Sequence, residues 1–95
     1  MLIIAGSVQV APERRDALVA GFADLVRRAR EAPGCLDVAI TADSVDPGRI
    51  NNLERWESQE HLDAWRAVAH APDAGAEMIS VDVGLFDVSG ERPPF

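Results

Sequence analysis

The stretch Cys35–Ser58, CLDVAITADSVDPGRINNLERWES, decides the fold. Cys35–Ala42 and Ile50–Glu57 are runs of strand length. Between them Asp43-Ser44-Val45-Asp46-Pro47-Gly48 crowds turn formers into one short segment. The two runs are therefore expected to lie side by side as antiparallel strands. In a strand, side chains repeat every second residue, so Asn52, Glu54 and Trp56 share one face.

Working outward, Ala32-Pro33-Gly34 stops a helix before the first run, and Ser58 caps one after the second. The upstream helix opens at Ala11-Pro12-Glu13, where proline suits the first helical position and the acid complements the dipole. Leu18, Phe22, Leu25, Val26 and Ala29 recur at helical spacing and carry it to about Glu31. Downstream, Leu62, Trp65 and Ala69 form an inward stripe running through about His70. Leu2–Val10, with Leu2, Ile4, Val8 and Val10 on one face, and Met78–Val88 supply the outer strands.

The order β-α-β-β-α-β predicts an α+β, ferredoxin-like fold with a four-stranded antiparallel sheet. Right-handed crossovers put both helices on one face and leave the other uncovered. A second copy of the chain is the expected cover, giving a homodimer. With 95 residues the chain builds one core, so a single domain over 1–90 and a short tail over 91–95 are expected.

A net charge of -7 argues against nucleic acid, which needs clustered Lys and Arg. Arg27, Arg28 and Arg30 fit the solvated side of an amphipathic helix. No run is long enough for a membrane span, and Met1–Val10 lacks the basic leader of a signal peptide. The lone Cys35 permits no internal disulfide, and no CxxC or Cys/His cluster points to a metal. A cytoplasmic protein without metal or other cofactor is expected. Asp43 and Asp46 lack the ligand series of a calcium loop and are expected as solvated turn residues.

Three stretches carry a family resemblance: Val10-Ala11-Pro12-Glu13, Ala32-Pro33-Gly34-Cys35-Leu36, and Asp46-Pro47-Gly48-Arg49 leading into Leu53-Glu54-Arg55-Trp56-Glu57-Ser58, with Leu62-Asp63-Ala64 after it. In these the chain resembles the antibiotic biosynthesis monooxygenase family. The resemblance implies a dimeric α/β barrel and oxygenation of phenolic or quinol-like substrates with neither metal nor flavin. The quinone-forming branch has an asparagine and a tryptophan four residues apart on the third strand, which Asn52 and Trp56 match. Family patterns place one histidine where this chain has Trp65 and another where it has His70.

The expected function is a cofactor-independent monooxygenase that uses O2 to turn a small aromatic polyphenol or hydroquinone into a quinone. Asn52, Trp56 and His70 are the candidate catalytic residues. An amide can orient a substrate oxygen, an indole can donate its N–H and stack on a ring, and an imidazole can accept a proton near neutrality. Phe22, Glu54 and Trp65 are the candidate substrate-binding residues.

Each candidate has a structural alternative. Trp56, Trp65 and Phe22 serve equally as core fillers, Asn52 as a buried hydrogen-bonding group, Glu54 as an ion-pair partner for an arginine and His70 as a helix C-terminal partner. His61 is expected on the surface. The competing function is a non-catalytic dimeric module that binds a small apolar ligand. Haem degradation is a third reading, implied by relatives that use an asparagine on the first strand. Here that strand offers only Ser7 and Gln9.

Overall fold

A computed structural model describes all 95 residues. Its elements are β1 (Leu2–Val10), α1 (Pro12–Gly21), α2 (Ala23–Glu31), β2 (Cys35–Ala42), β3 (Arg49–Trp56), α3 (Gln59–Arg66), a 3-10 turn (Gly75–Glu77) and β4 (Met78–Asp87). The strands form one antiparallel sheet in the order β2-β3-β1-β4. This is the ferredoxin-like arrangement expected from the pattern. No helix is long and apolar enough to cross a membrane.

Two helical expectations are corrected. The helix over 12–31 is broken at Phe22, whose N–H bonds the Val19 carbonyl three residues back rather than four. Gly21, a poor helix former, sits at that break. The helix after Ser58 stops at Arg66 instead of reaching His70. His70 has a φ of 48°. That left-handed backbone ends any continuation of a right-handed helix.

Register fixes the two sheet faces. Leu2, Ile4, Gly6 and Val8 of β1 stand opposite Trp56, Glu54, Asn52 and Ile50 of β3. Val38 and Ile40 of β2 continue the same rows. The helices cover this face, and Leu2, Ile4, Ala29, Val38, Trp56, Leu62 and Trp65 make the buried core. Trp56 and Trp65 stack with ring centroids 6.3 Å apart, and the Arg28 guanidinium lies 5.7 Å from the Trp65 ring centre.

The opposite face carries Ile3, Ala5, Leu53 and Phe86 with no element over it. Phe86 is 55% exposed. Edge strand β4 is also apolar toward the helix side, where Val81 is 60% exposed.

Two polar clusters lock the connections. Ser58 caps α3 by accepting from the His61 N–H, and its hydroxyl lies 2.7 Å from His61 Nδ1. The His61 ring packs where a side chain on Gly34 would stand. His61 is thus a partly buried brace, not the free surface residue expected, because the left-handed turn at Gly34 (φ 79°) brings the start of β2 against α3.

The loop between β2 and β3 is likewise more ordered than a solvated turn. Asp43 accepts from the Val45 and Asp46 N–H groups and from the Asn51 amide. Arg15 of α1 donates to the Asp43 and Asp46 carbonyl oxygens, and Gln9 donates to the Asp46 carboxylate. Hydrogen bonds favour the charged form of a carboxyl. Those from the Asp46 N–H, the Asn51 amide and the Val45 N–H, in that order, hold the Asp43 carboxyl down to about 2.

Candidate active site

Between the sheet and the helices lies a cavity of about 350 Å³, within the range that holds a small aromatic molecule. Ile4, Val8 and Val10 of β1, Ile40 of β2, Ile50, Asn52 and Glu54 of β3, and Met78, Val81 and Val83 of β4 line the sheet side. Leu18, Phe22, Arg66 and Ala74 line the rest. Eleven of the fourteen are hydrophobic, so the three polar ones, Asn52, Glu54 and Arg66, set what the cavity can recognise.

Strand alternation brings Asn52 and Glu54 to the cavity, since both lie on the helix-covered face of a central strand. The Asn52 amide makes no hydrogen bond within the protein, and no buried side-chain polar atom lacks a partner. The amide therefore keeps access to the cavity and remains open to a ligand. Gly6, opposite Asn52 on β1, carries no side chain to crowd it.

Glu54 accepts a hydrogen bond from the Trp56 indole N–H at 3.1 Å, so this carboxylate is partnered by an indole and not by the arginine expected. It forms no ion pair, for Arg66 shares the cavity wall without coming within ion-pair distance. Burial, with Asp37 and Glu54 adding to it, pushes the Cys35 thiol up. That thiol is a poor nucleophile in consequence.

The candidates read from the sequence thus divide. Asn52, Glu54 and Phe22 meet at the cavity. Trp56 is fully buried beneath its wall, with its N–H already given to Glu54. Trp65 is buried against Trp56 and borders two smaller clefts instead. His70 is exposed and outside the cavity, because the early end of α3 turns the chain away before it.

Arg66, Val81 and Val83 join the cavity without being among the site residues that the sequence points to. The two valines carried a signal, being alternate residues of a strand whose face could be counted. Arg66 carried none, because its position depends on where α3 stops.

A family model of antibiotic biosynthesis monooxygenases matches residues 1–76. Among solved structures, a Nitrosomonas europaea protein provisionally named as such a monooxygenase superposes with a TM-score of 0.81 at 15% identity, covering 93% of this chain and 98% of that one. A structure described as an antibiotic biosynthesis monooxygenase gives a TM-score of 0.77 at 26% identity, covering 95% and 100%. A Pseudomonas aeruginosa protein gives 0.78 at 20% identity, covering 94% of each chain. No curated protein matches the chain.

Proposed function

The chain belongs to the antibiotic biosynthesis monooxygenase family, and from that premise we propose that it is a cofactor-independent monooxygenase oxidising a small aromatic polyphenol or hydroquinone to a quinone. Family and fold together support a monooxygenase-like or small-molecule-binding module. The observation that carries the finer reading is the unpaired Asn52 amide beside the Glu54 carboxylate in an otherwise apolar cavity.

The chemistry needs no group that the chain lacks. A ring with a hydroxyl and a para hydrogen reacts with one O2 to give a para-quinone and one water; a hydroquinone, whose para carbon already carries oxygen, instead gives its quinone and one H2O2. In the first case the ring anion passes an electron to O2, the two radicals join at the para carbon, and the peroxide formed loses that carbon's proton as its O–O bond breaks. One oxygen stays as the new carbonyl and the other leaves as water. The protein's part is to hold the ring between Phe22, Leu18 and the sheet, and to donate from Asn52 to the oxygen on which charge develops.

The same reading includes a homodimer joined through the uncovered sheet face, where Leu53 and Phe86 are exposed. The test of activity is oxygen uptake, with naphthoquinols and anthrones, in metal-free buffer. Uptake well above the uncatalysed rate, with a quinone formed for each O2 consumed, is the expected result. Binding of these compounds with no uptake would favour the non-catalytic apolar-ligand module, which the mostly hydrophobic lining also suits.

A further inference from the structure

Within the cavity, proton acceptance has one candidate. His70 is exposed outside it, His61 is engaged with Ser58 at the start of α3, and Cys35 is not among the lining residues. Glu54 lines it, and one of its oxygens, Oε1, is fixed by the Trp56 indole N–H at 3.1 Å. Trp56 is itself fully buried and stacked on Trp65. A carboxylate held at one oxygen by a rigid donor leaves the other oxygen's lone pairs for a ligand.

We propose that Glu54 accepts the proton of an acidic hydroxyl on the substrate, with Trp56 as its positioning residue. The proposal rests on the monooxygenase reading above and narrows its substrate class. In this step the ligand O–H bond breaks, its electron pair stays on the ligand oxygen, and the proton passes to Glu54 Oε2. The ring anion so formed is the species that reduces O2. Carboxylates as a class titrate about six units below simple phenols. The hydroxyl must therefore be more acidic than that of a simple phenol, as in acylphenols, where it is conjugated to a carbonyl group, or in enolised anthrones, whose anion spreads over three fused rings.

Few charged groups face Glu54. Arg66 of α3 shares the cavity wall, Cys35 of β2 and Arg28 of α2 lie farther round the core, and β1 and β4 line the cavity with apolar residues alone. Arg66 has no carboxylate partner, so it is free to attract the ligand anion once the proton has left.

The experiment uses the full chain with two readouts. In oxygen uptake on an enolisable anthrone, Glu54→Gln is expected to lower the rate by about 10²-fold or more and to abolish the fall toward acid pH. Replacing Trp56 with benzothienylalanine keeps the ring shape and the stack but removes the N–H donor. Loss of a donor disfavours the carboxylate, so that acid limb should move to higher pH. Glu54→Gln within threefold of wild type, or an unmoved limb in the Trp56 analogue, overturns the proposal.

The second readout is binding of 2-hydroxyanthraquinone against its methyl ether at about pH 6, where the hydroxyl is neutral. Neither compound reacts with O2. Wild type should prefer the hydroxyl form by about tenfold, and Glu54→Leu should lose that preference. No preference in wild type, or the same preference in both proteins, overturns the proposal. A Glu54-dependent preference without oxygen uptake would instead overturn the monooxygenase reading alone.

Discussion

Asn52 and Gly6 stand opposite each other in the β1–β3 ladder, so the one amide of the cavity sits beside a position without a side chain. Gly6 is required there for another reason too. A Cβ on it would collide with the Asp82 carbonyl oxygen and Val83 Cα of β4. The close approach of β1 and β4 thus depends on Gly6.

Because the Asn52 amide has no partner in the protein, Asn52→Ala should separate function from stability. Thermal unfolding is expected to stay within about 0.5 kcal/mol of wild type. Oxygen uptake should fall by about 10²-fold, the usual loss when a donor to developing charge is removed. Calorimetry and oxygen electrode traces on the same preparation check both.

His70→Gly should leave oxygen uptake within about twofold of wild type, since the side chain is exposed outside the cavity. Glycine also relieves the left-handed backbone at φ 48°, worth about 1 kcal/mol. The melting temperature should hold or rise, and a matching fall in rate would return His70 to the chemistry.

Gly34→Ala should destabilise the chain by about 2 kcal/mol or more, because the backbone is left-handed and the added methyl meets the His61 ring. Gly34→Ala combined with His61→Ala removes the ring but keeps the position 61 Cβ, 2.5 Å from the added methyl, and the backbone strain. Urea unfolding of the double variant should therefore recover only part of the loss relative to the two single variants.

Phe86→Asp with Leu53→Glu places charge on the uncovered sheet face without touching the cavity, whose lining lies on the other side. Light scattering should show the wild type as a dimer and the double variant as a monomer or a much weaker dimer. A wild type that is monomeric at high concentration would remove the dimer from the proposal.

The depressed Asp43 carboxyl makes the loop between β2 and β3 acid-sensitive. A carboxyl lowered from about 3.9 to about 2 contributes stability that is complete above about pH 4 and lost as pH falls through about 2. The Val45 and Asp46 amides, which donate to it, should lose exchange protection across that window. In Asp43→Asn their protection should already be lower at neutral pH.

Strand order and the cavity-facing rows were legible in the sequence because both follow from local rules. The turn formers at 43–48 dictate a hairpin, and period-two alternation puts Asn52, Glu54 and Trp56 on one face whatever lies above them. The break at Phe22 was not legible, since apolar spacing runs through it without change. The loop's order was hidden as well, because Arg15 and Gln9 reach Asp43 and Asp46 from elements far away in the chain.

The sequence alone determined a four-stranded antiparallel sheet with helices on one face, and it determined that an asparagine and a glutamate would look toward those helices. Periodicity along a chain is sufficient for that. Only the tertiary structure decided which polar groups a ligand can meet. Depth and reach, not face, separate Asn52, which is left unpaired at the cavity, from Trp56, which shares its face but lies sealed beneath Trp65 with its N–H spent on Glu54. The same holds for His70, whose place depends on one helix ending at Arg66. Helix ends are set by competing hydrogen bonds and packing across the fold, which no local spacing records.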